Sequence, residues 1–393
     1  MKHIDNPAAF VLSLVIFASS AMSCRANVNS TNTESSEAVA QSKPGCVAPT
    51  GRMATARAVH AATLLSNGKV LITGGMEGND VYTSSAEIYD PATGAFVAAG
   101  NMSQSRAGHS ATRLPDGKVL IVGGSNTEWL ASAEIYNPAA GAFASTGSMS
   151  IRRGGFTATL LPNGKVLIAG GYNENLQASA EIYDPPTGRF TATGSMSAGR
   201  SAHTATLLPN GKVLITGGGT NRNVLASAEL FDPATGRFTS TGNMTMVRHK
   251  HAAALLPNGN VLIMGGADSR DWRGRYANAE IYNPATGTFA AISNMNATRF
   301  KHRDSVALLN NGMVFVAGGS EHAEIYNPVR NNFNVVNGQM DVARFYLTAT
   351  LLPDGRVLVI GGYDNDIVAS ARAWLYKPQA TTAINKSLER SAG

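Results

Sequence analysis

Seven arginines each stand four residues after a methionine: Arg57, Arg106, Arg153, Arg200, Arg248, Arg299 and Arg344. Five are followed three residues later by a histidine, at His60, His109, His203, His251 and His302. Guanidiniums and imidazoles recurring at one position could gather at an opening, where they would draw in an anion and move protons near neutral pH. They could equally serve the scaffold, because Glu87, Glu134, Glu181, Glu229, Glu280 and Glu324 recur at a second fixed position and offer each arginine a carboxylate. The structural pairing is the expected use. Two places depart from it. The seventh unit has Trp374 where the glutamate should stand, so Arg344 is expected to lack its partner. The sixth inserts two residues and crowds Arg299, Lys301, His302, Arg303 and Asp304 together. If any sector of the ring takes a ligand, it is this one.

A second cluster combines flat and charged groups: Asp268, Arg270, Asp271, Trp272, Arg273, Arg275 and Tyr276, with Trp129 and Tyr172 at related positions in other units. Aromatic rings beside guanidinium forks suit stacking on a sugar and gripping a carboxylate. The plainer alternative is a solvated loop with one ring tucked onto the sheet below. Asp364-Asn365-Asp366 reads as a polar turn, since no further spaced oxygens complete a calcium loop. Nucleophile elbow, phosphate loop and His-Glu-x-x-His motifs are all missing. Both cysteines, Cys24 and Cys46, precede the repeats, which leaves no thiolate cluster within them.

What must position these residues is a repeat. Gly-Gly pairs begin at Gly74, Gly123, Gly170, Gly217, Gly265, Gly318 and Gly361, roughly 48 residues apart. Each unit reads as four strands: an alternating run such as His203 to Leu208, an Asn-Gly or Asp-Gly turn, an apolar run such as Lys212 to Thr216, then two more joined by a Pro-Ala-Thr-Gly-like turn. Four-stranded units repeated seven times, with no helical period, predict an all-β, seven-bladed propeller. The last unit stops after its third strand, and Val47–Thr50 aligns with an outer strand. That segment is expected to complete the seventh blade and close the ring, leaving residues 379–393 as a loose tail.

The Gly-Gly pair, the Tyr-Asp-Pro-like segment, the aromatic opening the fourth strand and Arg-x-x-His together resemble the kelch family. The fourth-strand aromatic is Phe (Phe96, Phe143, Phe190, Phe238, Phe289, Phe333) where that family usually has Trp, which puts core volume in question. The nearest enzymatic resemblance is to seven-bladed propellers of the galactose oxidase type, which implies an axial copper held by two Tyr and two His, with one Tyr cross-linked to Cys. Ala343–Thr350 is similar to the segment bearing that tyrosine, and Tyr346 falls in register with it. The cross-linking Cys would fall at about Arg303. The axial Tyr-His pair would match Val59-His60, Gly108-His109, Ala202-His203 or Lys250-His251, none of which has the Tyr. The copper site is therefore not retained, no cofactor is expected, and Tyr346 is read as a channel-lining aromatic.

Within a propeller the Asn-Gly and Pro-Ala-Thr-Gly turns share one face, nearly the same in every unit. The loops after Gly-Gly share the other and differ from one another, so function is expected there. The candidate ligand-binding residues are Trp272, Arg273, Arg275, Tyr276, Trp129, Arg303, Arg344 and Tyr346. Residues 1–23 read as an export signal: Lys2 and His3, then an apolar run from Ala8 to Ala18, then small residues. Ala21-Met22-Ser23-Cys24 resembles a bacterial lipobox with Ala21 in place of the usual Leu, which implies lipidation at Cys24; simple cleavage to a periplasmic or secreted product is the alternative. Residues 24–45 are a polar tether. Net charge is +6, but only 15% of residues are charged and no basic–aromatic stripe occurs, which argues against nucleic acid. The reading is a monomeric recognition module for glycan or protein on a bacterial outer membrane or cell surface, touching membrane only through lipid. A sugar mutarotase or epimerase at the channel mouth is the alternative.

Overall fold

The computed structural model describes residues 45–379 apart from Asn79, Asn221 and Arg222. The export signal, Cys24, most of the tether and residues 380–393 lie outside the described residues. The described chain forms seven four-stranded antiparallel sheets. Blade four is representative: Thr204–Leu207 is innermost, then Val213–Thr216, Ala228–Asp232 and, outermost, Arg237–Ser240.

The second strand of every blade is a run of buried apolar residues, such as Val213, Leu214 and Ile215, because it is covered on both sides by neighbouring blades. The third strand alternates and buries one aromatic, and the outer-strand Phe lies directly opposite it. Tyr183 pairs with Phe190 in register, their ring centroids 4.8 Å apart. The same contact recurs in blades one to six. Phe therefore fills the outer layer with its own blade's tyrosine or phenylalanine, and core volume is maintained.

The inner hairpin departs in one detail from the sequence reading. Only the glycine of each Asn-Gly or Asp-Gly pair is left-handed, as Gly211 is at φ +81°. Gly211 N donates to Leu208 O, Leu208 N donates to Lys212 O, and the Asn210 side chain accepts from Lys212 N. This is a three-residue loop with one left-handed residue, not a two-residue turn.

Ring closure runs as expected and over a longer stretch. Cys46–Arg52 adds antiparallel to Arg372–Lys377, with Val47 opposite Tyr376 and Pro49 opposite Trp374, so the last sheet reads inward from the chain's own beginning. Among the described residues no helix is long and apolar enough to cross a membrane.

Candidate functional site

The repeated arginines do not line the opening. Each guanidinium folds back into its own blade. Arg153 donates through Nη1 to Gly170 O at 2.7 Å and Ser179 O at 3.0 Å, and through Nη2 to Glu181 Oε1 at 3.0 Å. The second oxygen of Glu181 accepts from Ser150 N at 2.8 Å. Six such pairs recur, all buried, from Arg57–Glu87 to Arg299–Glu324. Burial pushes the arginines below their ordinary pKa and the facing glutamates oppose it, which keeps the pair charged. Blade seven corrects the expectation for Arg344. Asp341, three residues earlier, takes Nε at 3.0 Å and Nη2 at 2.7 Å, and Trp374 lies under the guanidinium at 6.0 Å.

The five histidines are buried in the seams between blades. His109 bonds Thr73 of the preceding blade at 2.9 Å, His203 bonds Thr157 and His60 bonds Thr348, each at 3.1 Å. Burial and the neighbouring arginine hold His60 near pKa 3 and His302 likewise, so both are neutral. The second glycine of each Gly-Gly pair donates its N–H to the carbonyl of the next blade's arginine, from Gly75 N to Arg106 O around to Gly362 N to Arg57 O. A Cβ on Gly74 would meet that carbonyl at 2.3 Å, so the close approach requires glycine. Arginine, histidine and the glycine pair together fasten one blade to the next.

What rings the axis is the residue two places after each arginine: Val59, Gly108, Gly155, Ala202, Lys250, Lys301 and Tyr346. All seven adopt φ between +52° and +62°. Their peptides bond in sequence around the axis, as from Lys250 N to Ala202 O, Lys301 N to Lys250 O and Tyr346 N to Lys301 O. Glycine is the residue suited to that backbone, and blades two and three use it. Blades one and four put Val and Ala there, and blades five, six and seven Lys, Lys and Tyr, each at a cost in backbone strain.

These three side chains meet the loops after Gly-Gly in blades five and seven. Lys250 Nζ reaches both oxygens of Asp271, at 2.9 and 2.8 Å, and His249 Nε2 lies 3.4 Å from the same carboxylate. Lys301 Nζ donates to Tyr363 Oη at 2.9 Å and sits 5.1 to 6.0 Å from the ring centres of Phe300, Tyr363, Tyr346 and Trp272. Among the described residues no carboxylate lies within ion-pair distance of Lys301. Burial lowers the pKa of both lysines. Burial and Asp271 push the Tyr363 phenol up to about 12, and burial with Tyr363 pushes Tyr346 higher still, so both phenols are donors. Trp272 is exposed on one side and edge-on to Phe300 and Phe345, with Arg275 4.8 Å over its ring.

Of the residues singled out from sequence, Trp272, Arg275 and Tyr346 belong to this cluster. Arg273 is exposed beside it, with no side-chain partner among the described residues. Tyr276 lies 5.6 Å from the Arg248 guanidinium, within the blade-five corner. Trp129 packs edge-on to Tyr172 at 5.3 Å and covers Gly154, which makes it the ring tucked onto a neighbouring blade. Asp268 and Arg270 satisfy one another. Asp364 caps its own loop by accepting from Asp366 N and Val368 N. Arg303 reaches across the axis to Phe156 O at 2.9 Å. Sequence reasoning missed Lys250 and Tyr363 and gave Lys301 no role of its own. The signal was present, two residues after each arginine, in the switch from Val, Gly and Ala to Lys, Lys and Tyr.

The kelch motif model matches residues 57–103 and 153–197, which are the first and third repeats with the entry segments just described. The chain carries kelch motifs on a seven-bladed β-propeller. A fungal alcohol oxidase of the AA5 family, solved in complex with copper, superposes on the kelch ring with a TM-score of 0.70 at 17% identity, covering 86% of this chain and 77% of that one. At that identity the likeness is one of fold. No curated protein sequence matches the chain. The mouth of this kelch ring does not fit a copper ion. The Lys301 ammonium lies 5.7 Å from the Tyr346 ring, where it would repel a cation, and the repeat histidines are turned into the blade seams. Among the described residues no group of three His, Cys, Asp or Glu side chains gathers in metal-binding geometry.

Proposed function

We propose that this kelch propeller is an exported recognition module that binds an acidic glycan at the mouth of blades five to seven. The observation that carries the reading is Lys301, an ammonium held among four aromatic rings with no carboxylate in ion-pair contact among the described residues, Asp271 acting on it only from beyond that distance. A charge removed from water needs a counter-charge, and a ligand carboxylate supplies it. Trp272 offers a flat surface for a sugar ring and Tyr363 a hydroxyl donor. Recognition without turnover is supported by the five seam histidines, which are neutral, buried and bonded.

The test is a glycan array on the full mature chain, followed by titration calorimetry. Uronic-acid oligosaccharides are expected to bind. Lys301→Met should weaken them ~10- to 100-fold and Trp272→Ala several-fold, while Trp129→Ala leaves them unchanged. Absence of acidic-glycan binding, or binding indifferent to Lys301→Met, overturns the proposal.

One observation favours catalysis as a second reading: His249 and Asp271 lie 3.4 Å apart beside Lys250, a pair suited to moving a proton at an anomeric carbon. It requires faster anomer interconversion of a reducing sugar by the protein, abolished in His249→Gln. Equal rates with and without protein end it.

Export rests on the N-terminal segment, and the fate of Cys24 is open to a direct measurement. A lipidated Cys24 carries its sulfur as a thioether, so it and an intramolecular disulfide at Cys46 exclude one another in a chain with two cysteines. A disulfide would itself suit an oxidising compartment. Intact mass of the native protein separates a diacylated chain from one shortened by the signal and lacking two hydrogens.

A further inference from the structure

The axial channel carries a feature that the repeat does not account for. In blades one to five the arginine binds a glycine carbonyl 17 residues on, whereas in blade six the interval is 19. The two extra residues form a turn before the inner strand Val306–Leu308 and carry Arg303 and Asp304 into the channel. Asp304 O accepts from Ala349 N at 2.8 Å, which anchors the turn to blade seven. Arg303 Nη1 crosses to Phe156 O of blade three at 2.9 Å.

Against Arg303 lies a cavity of about 170 Å³, lined by the inner strands of blades two to five. It has room for about five waters. Its walls are the small apolar Ala158, Ala205 and Ala253 with Phe156. Of its hydroxyls, Thr157 and Thr204 are bonded to histidines, while Ser110 and Thr159 have no side-chain partner among the described residues. A guanidinium has five N–H donors. One goes to Phe156 O, and the approach to Asp304 Oδ2, at 3.5 Å, is too long to be a good bond. The cavity thus has a planar fork with donors to spare, two hydroxyls without side-chain partners among the described residues and methyl-lined walls, with the Asp304 carboxylate also on its lining in a long ion pair with the fork.

We infer that the axial channel holds a second binding site, for the carboxylate of a short organic acid, with Arg303 as the fork and Ser110 and Thr159 as hydroxyl donors. Bidentate pairing is the geometry by which a guanidinium distinguishes a carboxylate from a neutral isostere. The site is independent of glycan recognition at the mouth.

Titration calorimetry on the full mature chain with propionate, lactate and propionamide tests it. The acids are expected to bind with Kd of ~1 mM or tighter, and the amide not at all. Arg303→Met should weaken the acids at least tenfold. Asp304→Asn should tighten them several-fold by removing the competing charge, and this variant decides the matter if Arg303→Met folds poorly. Trp272→Ala should leave acid binding unchanged. Equal binding of acid and amide, no binding of either, an Arg303→Met variant that binds as well as the parent, or unchanged affinity in Asp304→Asn each overturns the inference.

Discussion

Blades two to four and blades five to seven share one backbone at the axial mouth and differ in what they hang from it. Gly108, Gly155 and Ala202 occupy the left-handed position in the first group, and Lys250, Lys301 and Tyr346 in the second. Axial peptide bonds occur in both groups, as from Ala202 N to Gly155 O and from Lys301 N to Lys250 O, so the scaffold does not need the larger side chains. Repetition marks the parts that hold the ring together. Val59 of blade one also departs from glycine at the left-handed position, so what sets blades five to seven apart is that the side chains they place there are polar.

Three measurements would break or sharpen that contrast. The largest effect is expected in the corners common to nearly all blades. Glu181→Ala leaves Arg153 buried and unpaired and should cost ~3–5 kcal/mol in urea unfolding. Asp341→Ala in blade seven should cost less, because its carboxylate is partly solvated and Trp374 still lies under Arg344. Equal losses would mean that blade seven is held like the rest.

Next in size is an acid sensitivity that belongs to the seams and not to the mouth. His60 and His302 have folded pKa values near 3, below the 6.5 of an unfolded histidine. The unfolded chain therefore binds more protons between those values. Each contributes stability that is fully present above pH 6.5 and falls by ~1.4 kcal/mol per pH unit as the pH drops toward 3. Thermal midpoints should decline from pH 7 to pH 5, and less steeply in a folded His60→Gln variant. A flat profile over that range would show the seam histidines to be protonated without penalty.

The smallest effect tests the strain itself. Ala202→Gly should be neutral to stabilising, by up to ~1 kcal/mol, and Gly155→Ala destabilising by ~1–2 kcal/mol, since neither introduces a serious clash. If Gly155→Ala is silent, the left-handed position carries no strain and the case for an adapted mouth rests on Lys301 alone.

Most of the fold was legible because each blade repeats its instructions. Gly-Gly, the Asn-Gly turn and the opposed aromatics recur at fixed distances, and the missing fourth strand of the last unit was visible as a gap that Val47–Thr50 could fill. The site was less legible. Arg344 looked unpaired because its substitute partner, Asp341, comes from the loop before it and not from the third strand. The arginines looked axial because they precede the innermost strands, but a guanidinium on a long stem can turn back, and only the residue at positive φ faces its counterparts around the ring. Trp129 and Trp272 look alike in sequence. One is tucked against Tyr172 and Gly154 and the other stands over the mouth, a difference made by the longer loop and short 3-10 turn Asp271–Gly274 that carries the second.

The closing strand has a mechanical consequence. Cys46–Arg52 is joined to its blade by Arg372–Lys377 and reaches blade six through Val47 N to Asn337 O. Tension on the chain ahead of residue 45 enters through that strand and not through any hairpin. The ring behaves as a belt loaded at its buckle: the clasp must slip before any blade bears the load, and the other six sheets remain intact when it does. Stretched from its beginning, the molecule would yield first at the seam, with toughness set by one short row of strand pairs.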